Sequence, residues 1–352
     1  MKVKFGIIGY GYMGHVLVGN LLKVEGVEVI AVCDNDPRKL EDVPEGIKKY
    51  SSMESLLEDS NINTVIIAIP NHLHLEAVTK AARAGKHILC EKPVAMTVEE
   101  LDQMVKVIEE YGVKFTVHHQ RRWDKDFRTA KEVYDRQLLG EIYTLQSKLY
   151  GFNGNMHDWH IYKEFGGGML YDWGVHLIDQ MLFMVNSKVK SVFADMRNVI
   201  NDEVDDYFKI ILKFENGITG EIELGTYFLA DKEKWFERHW FIGGNKGSMY
   251  SDGFSPEGKI TRTTRLLTNV PDKTTMTASG PTRSFGPPSP GLIITEDLPN
   301  VETDQMMFFD NFVKAMNEEE EFVVKIPEVR RVLSLMEAVR ISSATGKSID
   351  FE

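Results

Sequence analysis

The first third of the chain alternates short runs of apolar residues with segments in which apolar residues recur every three or four positions. A continuous apolar run predicts a strand buried on both faces, and the three-to-four spacing predicts an amphipathic helix. The predicted strands are Val3–Ile8, Val27–Cys33, Thr64–Ile69, His87–Cys90 and Val113–His118. A helix is predicted over Val98–Tyr111, with a capping box formed by Thr97 and Glu100 at its start and Gly112 at its end. Strands that alternate with helices form a parallel sheet, and right-handed crossovers make it doubly wound.

The pattern changes near residue 120. After a helix predicted over Asp124–Gln137, longer stretches alternate apolar and polar residues, which is typical of antiparallel strands with one solvated face. These stretches are Ile142–Tyr150, Ser191–Arg197, Tyr207–Phe214 and Ile218–Phe228, and Asn216-Gly217 predicts a hairpin between the last two. We therefore expect a doubly wound α/β Rossmann domain over residues 1–120 and an α+β domain with a large, mainly antiparallel sheet over residues 121–352.

The remainder of the chain combines a turn-rich segment with two helices. Residues 251–302 are rich in Pro, Gly, Ser and Thr, which predicts a long irregular excursion or a lid over the functional site. Helices are predicted over Thr303–Met316 and Pro327–Thr345. Pro327 suits the first turn of the second helix.

Composition narrows the class of protein. The 352 residues include 41 Lys and Arg against 53 Asp and Glu, a formal net charge of −12. This acidic balance argues against a nucleic-acid or anionic-membrane partner. No apolar stretch reaches the roughly 20 residues that span a bilayer, and no signal peptide follows Met1. The two cysteines, Cys33 and Cys90, are expected to be reduced and buried, so we expect a soluble cytoplasmic protein.

A glycine motif follows the first predicted strand directly. The sequence Gly9-Tyr10-Gly11-Tyr12-Met13-Gly14 leads into a helix, and Asp34 ends the second strand 20 residues after Gly14. This order predicts a dinucleotide site in which the pyrophosphate lies over the glycines at the helix N-terminus. A strand–helix turn with incidental glycines is the alternative.

Asp34 also bears on the choice of cofactor. Its carboxylate can accept hydrogen bonds from the ribose hydroxyls and repels a 2′-phosphate, which favours NAD. Arg38 is close enough in sequence to reach a phosphate, so NADP stays open. Because the carboxyl ends of parallel strands face the ligand crevice, further cofactor contacts are expected there. The candidates are Asn35, Pro70, Asn71, His74, Glu91 and Lys92.

Lys92 lies in the motif Cys90-Glu91-Lys92-Pro93, directly after a predicted strand. This position points the lysine toward the expected place of the nicotinamide. An ammonium there can stabilise negative charge that develops on a substrate oxygen. A surface lysine before a turn proline is the alternative.

A third motif opens with Gly166-Gly167-Gly168, expected to be flexible, and continues into an apolar helical segment that contains Asp172 and His176. Residues four apart share one face of an α-helix, so the carboxylate could orient the imidazole, the usual proton carrier near neutral pH. The apolar neighbours Leu170 and Trp173 favour a buried site over a surface ion pair. We expect no metal site, because no third ligand stands at a useful spacing.

Together these motifs resemble the Gfo/Idh/MocA family, which includes glucose–fructose oxidoreductase and inositol dehydrogenase, and the resemblance covers essentially the whole chain. It implies an NAD(P)-dependent dehydrogenase that acts on a hydroxyl-bearing carbon of a sugar or cyclic polyol. It assigns catalytic roles to Lys92, Asp172 and His176. It also implies a homodimer or homotetramer formed through the C-terminal sheet.

The resemblance extends to further binding residues. Arg122 best matches an arginine that contacts substrate or cofactor, and Gln120 stands where many members carry an asparagine near the nicotinamide. A polar and aromatic stretch precedes the glycines, and we expect His157 and Trp159 from it to bind substrate, although Trp159 fits a core or interface position equally.

In the expected mechanism His176 takes the hydroxyl proton, Asp172 holds His176 or a neighbouring hydroxyl, and Lys92 stabilises the growing alkoxide. Three other functions are open. The first is a non-catalytic dinucleotide-sensing regulator, and the second is an NAD-dependent glycoside-cleaving enzyme that recycles its cofactor. The third is a reductase of non-sugar ketones.

Overall fold

The computed structural model describes residues 2–151, 158–228, 236–266, 274–283 and 290–352. The first sheet consists of β1 (Val3–Ile8), β2 (Val27–Cys33), β3 (Lys48–Tyr50), β4 (Thr64–Ile67), β5 (His87–Cys90) and β6 (Phe115–Val117). All its strands are parallel, in the order β3-β2-β1-β4-β5-β6. The direction of winding changes between β1 and β4, where doubly wound sheets bind their ligands. The predicted Rossmann fold is confirmed.

The helices of this sheet follow its strands closely. They are α1 (Tyr12–Leu21), α2 (Met53–Leu57), α3 (His74–Arg83) and α4 (Val98–Tyr111). The bounds of α4 match the prediction because both of its ends carry local signals. The Thr97 hydroxyl accepts a hydrogen bond from the Glu100 N–H, and Gly112 ends the helix with φ of 63°.

The second sheet has nine strands, in the order β16-β13-β12-β11-β7-β10-β9-β8-β17. Its strands are β7 (Ile142–Gly151), β8 (Val189–Arg197), β9 (Tyr207–Phe214), β10 (Thr219–Gly225), β11 (Phe236–Gly244), β12 (Gly247–Asp252), β13 (Glu257–Thr263), β16 (Ile293–Asp297) and β17 (Ile349–Asp350). Only the β7–β10 pair is parallel among the pairs in this sheet that the described residues form. The predicted large, mainly antiparallel sheet is confirmed.

The described parts of residues 251–302 form strands, which corrects the prediction of an irregular excursion. β13 and β16 extend one edge of the large sheet, and a separate hairpin pairs β14 (Thr274–Thr277) with β15 (Gly280–Arg283). Gly286-Pro287-Pro288 lies outside the described residues. Because β13 and β16 pair along their length, backbone hydrogen bonding outweighs the high turn propensity of these residues.

The described α-helices after residue 120 are α5 (Lys125–Asp135), α6 (Val175–Met184), α7 (Met307–Met316) and α8 (Ile326–Thr345), of which α5, α6 and α8 contact the large sheet. The last two return to the Rossmann sheet. The Phe5 and Phe312 rings lie 5.6 Å apart, and the Thr116 hydroxyl donates to the Val324 carbonyl at 2.9 Å. The division into domains at residue 120 stays a prediction, because the chain after that point packs against both sheets.

None of the helices in the described ranges is long and apolar enough to cross a membrane.

Candidate active site

The glycine turn after β1 leaves open space over its second glycine. A Cβ on Gly9, whose φ is +94°, would lie 2.3 Å from the Ala68 carbonyl oxygen, and a Cβ on Gly14 would lie 2.3 Å from the Gly9 carbonyl oxygen. These two glycines are therefore required by close packing. At Gly11 the nearest atom would be the Lys39 Nζ, 4.0 Å away. The free backbone there, at the start of α1, fits the pyrophosphate of a dinucleotide.

Asp34 ends β2 and is tied to this turn. Its Oδ2 accepts a hydrogen bond from the Tyr10 N–H at 2.9 Å and lies 3.4 Å from the Lys39 ammonium. Its Oδ1 accepts from the Asp36 N–H at 2.9 Å. Arg38, the cation considered from the sequence, pairs instead with Asp36 in solvent. Lys39 is therefore the cation that pairs with this carboxylate. The pair was not predicted from the sequence, because no local pattern distinguishes Lys39 from Arg38.

The other predicted cofactor residues around the turn differ in exposure. Tyr10 is buried beneath it, Tyr12 is 83% exposed, and Asn35 is exposed. Met13 and Pro70 are partly exposed. None of these placements conflicts with a dinucleotide lying along the turn.

Lys92 and Asp172 form an ion pair that joins the Rossmann sheet to the helical segment of the third motif. The Lys92 ammonium donates to Asp172 Oδ1 at 2.9 Å and to the Asp172 carbonyl oxygen at 2.8 Å. Burial is the largest single effect and raises the pKa of Asp172, but the charge and hydrogen bond of Lys92, together with the charges of His160 and Arg121, outweigh it and lower the pKa overall. The carboxylate is therefore ionised at neutral pH and holds the ammonium in place.

The structure corrects the expectation that Asp172 orients His176. Residues Leu170–Gly174 form a π-helical turn before α6. Residues four apart therefore do not share one face here as they would in an α-helix. Asp172 binds Lys92, whereas His176 Nδ1 is buried and has no hydrogen-bond partner among the described residues. The two side chains belong to the same site but make separate interactions.

His176 is held in its neutral form. It is 3% exposed, and burial followed by the positive charges of Lys92 and Arg121 places its pKa well below the usual value. An uncharged imidazole can accept a proton, which is the state that a general base requires.

The glycines before this segment are fixed by packing rather than flexible. A Cβ on Gly167 would lie 2.2 Å from the His160 carbonyl oxygen, and a Cβ on Gly168, whose φ is +102°, would lie 2.4 Å from Asp205 Oδ1. Asp205 accepts hydrogen bonds from the Leu170 N–H at 2.7 Å and, through its carbonyl oxygen, from the Met169 N–H at 2.8 Å. It thereby caps the helical segment.

Asp205 was not predicted from the sequence. It lies more than 30 residues beyond the segment that it caps, and no local pattern links the two. Burial raises its pKa to about 6. The start of the helical segment therefore depends on a carboxylate that titrates close to neutral pH.

Two direct hydrogen bonds fix the third motif against the Rossmann loops. The Asn71 side-chain amide donates to the Gly166 carbonyl at 3.0 Å, and the Tyr171 hydroxyl donates to the Met96 carbonyl at 2.6 Å. Asn71, predicted to bind the cofactor, thus also links the loop after β4 to the glycines.

Arg122 does not reach a substrate, contrary to the prediction. Its side chain is 1% exposed and donates to both carboxylate oxygens of Asp179, at 2.6 and 2.8 Å. It also donates to Glu328 at 2.7 Å and to the Val323 carbonyl at 2.9 Å. Protein groups therefore occupy its guanidinium, and Arg122 connects α6 to the start of α8.

His74 and Glu91 are also structural rather than cofactor-binding. His74 is fully buried, with Nδ1 3.0 Å from the Pro93 carbonyl oxygen and Nε2 2.8 Å from the Ile69 carbonyl oxygen. The Glu91 carboxylate is buried and lies 2.6 Å from His118 Nδ1. Both side chains hold the loops that follow β4 and β5, so Lys92 is positioned by its neighbours on either side.

A cleft of about 400 Å³ opens beside the helical segment. Its described lining consists of Arg121, Asp124, Lys125, Asp126, Trp173, Phe236, Phe254 and Gln305. The Arg121 guanidinium lies 4.1 Å from the centre of the Trp173 ring, and the Trp173 ring lies 6.0 Å from the His176 ring. Trp173 therefore connects the cleft to the predicted base, although His176, Lys92 and Asp172 are not themselves among the described lining residues. Arg121, the neighbour of the predicted Arg122, is the arginine that lines it.

Three residues that were predicted to bind substrate or cofactor are not among the described residues that line the cleft. Trp159 stacks on His160 with ring centres 3.8 Å apart and is partly exposed. The Oε1 atom of Gln120 is buried without a partner among the described residues. His157 lies outside the described residues. Within the described ranges, no group of three or more His, Cys, Asp or Glu side chains could hold a metal ion.

Comparison with known proteins identifies relatives over nearly the full length. Residues 3–119 match the oxidoreductase family with an NAD-binding Rossmann fold, and residues 127–250 match the GFO/IDH/MocA C-terminal domain. The crystal structure of an NAD-binding protein from Listeria innocua is 38% identical, covers 99% of each chain and gives a TM-score of 0.90.

Among the curated relatives that carry functional names, two represent different reactions. Myo-inositol 2-dehydrogenase of Thermotoga maritima is 25% identical over 275 residues, which is 76% of this chain and 78% of that protein. 2,7-Anhydro-N-acetylneuraminate hydratase of Escherichia coli is 29% identical over 267 residues, which is 73% of this chain and 70% of that protein.

The doubly wound sheet, the open glycine turn and the matched domains define an NAD-binding oxidoreductase. The chain belongs to the GFO/IDH/MocA family. The comparisons confirm three predictions: the family, the class of NAD(P)-dependent dehydrogenases, and NAD as the cofactor. They do not identify the substrate.

Proposed function

We propose that the enzyme oxidises a hydroxyl-bearing carbon of a sugar or cyclic polyol, and that bound NAD accepts the hydride. The observation that carries this proposal is that the Lys92–Asp172 pair lies close enough to the neutral, buried His176 for the charge of Lys92 to lower its pKa, while Trp173, which packs near His176, lines the cleft. The inositol dehydrogenase relative supports the substrate class.

Each of the three side chains has a distinct task. Neutral His176 takes the hydroxyl proton as the carbon is oxidised. A lysine ammonium carries three N–H donors, and two of those on Lys92 bind Asp172. The third donor is available to the developing alkoxide, which it stabilises electrostatically. Asp172 is therefore a positioning residue for Lys92.

The cleft suits a hydroxylated ring. Trp173, Phe236 and Phe254 supply an apolar wall, with ring centres 5.4 to 6.5 Å apart, against which the C–H face of a ring can pack. Arg121 and Asp124, joined at 2.8 Å, supply polar groups for hydroxyls. We include Trp159 and His157 as further substrate contacts on the strength of the sequence alone.

The cofactor contacts follow from the turn. Gly11 and the start of α1 would hold the pyrophosphate, and Asp34 would bind the adenosine ribose, with Asn35 and Tyr12 bordering it. Gln120 and Lys92 would lie near the nicotinamide. A resident dinucleotide supplies the hydride acceptor, and the residues named above bind and orient it.

The direct test is a substrate panel. Purified protein is mixed with NAD, and separately with NADP, in the presence of myo-inositol, glucose, galactose, xylose and their acids, and the reduced cofactor is followed by absorbance. We expect reduction with at least one member. Tight binding of NADH without reduction by any member would contradict a polyol or sugar dehydrogenase.

A second candidate is chemistry in which hydride transfer is transient and the cofactor is regenerated. The hydratase relative, which acts on a sugar derivative, supports this alternative. Such an enzyme would convert a sugar derivative or release the aglycone of an aryl glycoside without net reduction of NAD. Mass spectrometry of the sugar products in the same assays distinguishes the two functions.

We propose that the chain assembles as a homodimer or homotetramer through the outer face of the large sheet. This face carries intermingled charges and tyrosines: Glu223 interacts with the Tyr150 and Tyr207 hydroxyls, and Glu221 pairs with Lys148 and Lys209. Phe193 and Tyr250 on the same sheet are exposed. Light scattering after size exclusion should give a multiple of the chain mass, and a Tyr250→Glu variant should shift it toward the monomer.

We also propose a cytoplasmic location. Cys33 and Cys90 are both free and buried, and burial raises the pKa of the Cys33 thiol to about 11. Free thiols are typical of reducing compartments. Fractionation of cells that express a tagged chain would test this location.

A further inference from the structure

A group of buried polar atoms behind the active site has no partner among the described residues. These atoms are His118 Nε2, His119 Nδ1, Gln120 Oε1 and His176 Nδ1. Three of them come from consecutive residues after β6, and the fourth comes from α6. Buried polar atoms in native proteins are normally hydrogen-bonded, and ordered water often supplies the bond. The region therefore has the polar lining that a buried water requires.

His119 and His176 face each other within this group. Their ring centres are 6.2 Å apart and the rings are almost perpendicular, at 87°. Two hydrogen bonds of about 2.8 Å at the near-tetrahedral angle of a water span roughly 4.6 Å between the two nitrogens, and ring nitrogens lie about 1 Å from the ring centres, so a single water can bridge two imidazoles whose nitrogens face each other at this separation. Asp172 is not available to His176, because it binds Lys92.

His119 is itself placed by a rigid ion pair. Its Nδ1 lies 3.8 Å from Asp179 Oδ2, and the Asp179 carboxylate accepts hydrogen bonds from Nε and one terminal nitrogen of Arg122. His119, His176, Asp179 and Arg122 are all at most 3% exposed. The separation of 3.8 Å is too long for a hydrogen bond, so Nδ1 of His119 has no direct partner among the described residues, but the negative charge of Asp179 favours a hydrogen on Nδ1. The Nε2 of His119 is then the ring nitrogen that can accept a hydrogen bond.

We infer that His119 is a positioning residue for His176: through a bound water it accepts the Nδ1–H of His176 and so keeps Nε2 free to take the substrate proton. This inference rests on the proposed function of His176 as the base. A neutral imidazole carries one N–H, so a base whose lone pair faces the substrate needs an acceptor for the hydrogen on its other nitrogen.

The surrounding charges explain why such support matters. Burial lowers the pKa of His176 most, and the charges of Lys92 and Arg121 lower it further, so the proton that His176 gains creates a cation in unfavourable surroundings. His119 is surrounded by Asp179, Arg122, His118 and Lys92, and burial lowers its own pKa to about 4. His119 is therefore neutral and able to accept a hydrogen bond, and Asp179 beyond it is the nearby anion that offsets the new charge.

The tautomer of His176 can be measured without a substrate. Protein with ¹⁵N-labelled histidine is examined by long-range ¹H–¹⁵N correlation at neutral pH, with His176→Gln used to assign the signal. We expect a protonated Nδ1 and a bare Nε2 in the wild type, and a mixture of tautomers in His119→Leu. His119→Asn, which keeps an acceptor oxygen, should largely restore the wild-type tautomer.

His87→Leu is the matched control, because His87 is a partly buried histidine that accepts a hydrogen bond from the Lys114 N–H away from this cluster. It should leave the His176 signal unchanged. NADH binding and circular dichroism verify that each variant is folded. A wild-type His176 protonated on Nε2, or a tautomer unchanged in His119→Leu, would overturn the inference.

Steady-state kinetics is the second test of the role of His119, and it uses any substrate that the panel identifies. His119→Leu should lower kcat about 10- to 100-fold, with KM changed less than about threefold because the cleft is untouched. The acid limb of kcat/KM should move to lower pH, since the imidazolium loses support. Unchanged kcat and pH profile would overturn the role of His119. If no panel member is oxidised, the proposed function fails, while the tautomer measurement still decides the inference.

Discussion

Two glycine-rich segments build this site, and they are stabilised in different ways. The turn Gly9–Gly14 is held by contacts within the turn and by one further segment, Ala68 and Ile69, which directly follows the neighbouring strand β4. The segment Gly166–Gly168 contacts His160, Asn71 and Asp205, which lie on separate loops. The first segment forms a general cradle for a dinucleotide. The second assembles the reacting groups only when distant parts of the chain are in place.

The largest expected effect is a loss of turnover when one of the proposed reacting groups, Lys92, is replaced. Lys92→Met should lower kcat about 10²- to 10³-fold, because the donor to the developing oxyanion is lost. The Kd for NADH should change less than about threefold, because the glycine turn is untouched. Steady-state kinetics and calorimetry measure both values. Lys131→Met, which removes a lysine paired with Asp135 on α5, is the control, and turnover of Lys92→Met within a few-fold of wild type would refute the role.

The second prediction separates close packing from backbone conformation. Gly168→Ala should destabilise the fold by about 2–5 kcal/mol, since it combines positive φ with a Cβ that would collide with Asp205. Gly217→Ala, with φ of +88° and no atom within 4 Å, should cost only about 1–2 kcal/mol. Urea unfolding measures the difference. Equal losses would mean that the contact with Asp205 is unimportant.

The third prediction concerns the pH dependence of the cap. The pKa of Asp205 is raised to about 6, above the unfolded value of about 3.9, so the folded protein binds this proton more tightly. The stabilisation is complete below pH 4 and is lost as pH rises through 6, a change of about 2–3 kcal/mol. Asp205→Asn should therefore be more destabilising at pH 4 than at pH 7 when unfolding is measured at both. A destabilisation that is the same at both pH values would contradict the raised pKa.

The smallest effect on the stability of the fold is expected for a substitution in the glycine turn Gly9–Gly14. Gly11→Ala should change stability by less than about 1 kcal/mol, because only the flexible end of Lys39 lies near its Cβ. The added methyl should nevertheless weaken NADH binding about tenfold or more, since it occupies the open face of the turn. Calorimetry and thermal unfolding test the two parts. Normal NADH affinity would place the pyrophosphate elsewhere.

The contrast between the two glycine-rich segments also explains which features could be predicted from the sequence. Elements with local signals were predicted well: α4 has its cap at Thr97 and its stop at Gly112, and β9 over Tyr207–Phe214 has an apolar residue at every second position from Phe208 to Phe214, all of them buried. The glycine turn was likewise recognisable because the strand, turn, helix and Asp34 follow in a fixed order. Such features depend on residues close together in the chain.

Features that depend on tertiary contacts were not predictable. The π-helical turn redirects Asp172 from His176 to Lys92, and periodicity alone could not indicate it. Arg121 and Arg122 are adjacent and chemically identical, so only the positions of Trp173 and Asp179 decide which one lines the cleft. Asp205 belongs to a loop whose relation to the third motif exists only in the folded chain.

The most direct test of the central claim, that Lys92 and His176 act on a hydride donor beside the glycine turn, is deuterium transfer. Carbon-perdeuterated myo-inositol and glucose are incubated with NAD, and the cofactor is analysed by mass spectrometry. The account predicts one deuterium per reduced cofactor for whichever compound is a substrate, and loss of this product in His176→Gln and Lys92→Met. Reduced cofactor without deuterium, or undiminished labelling in both variants, would contradict it.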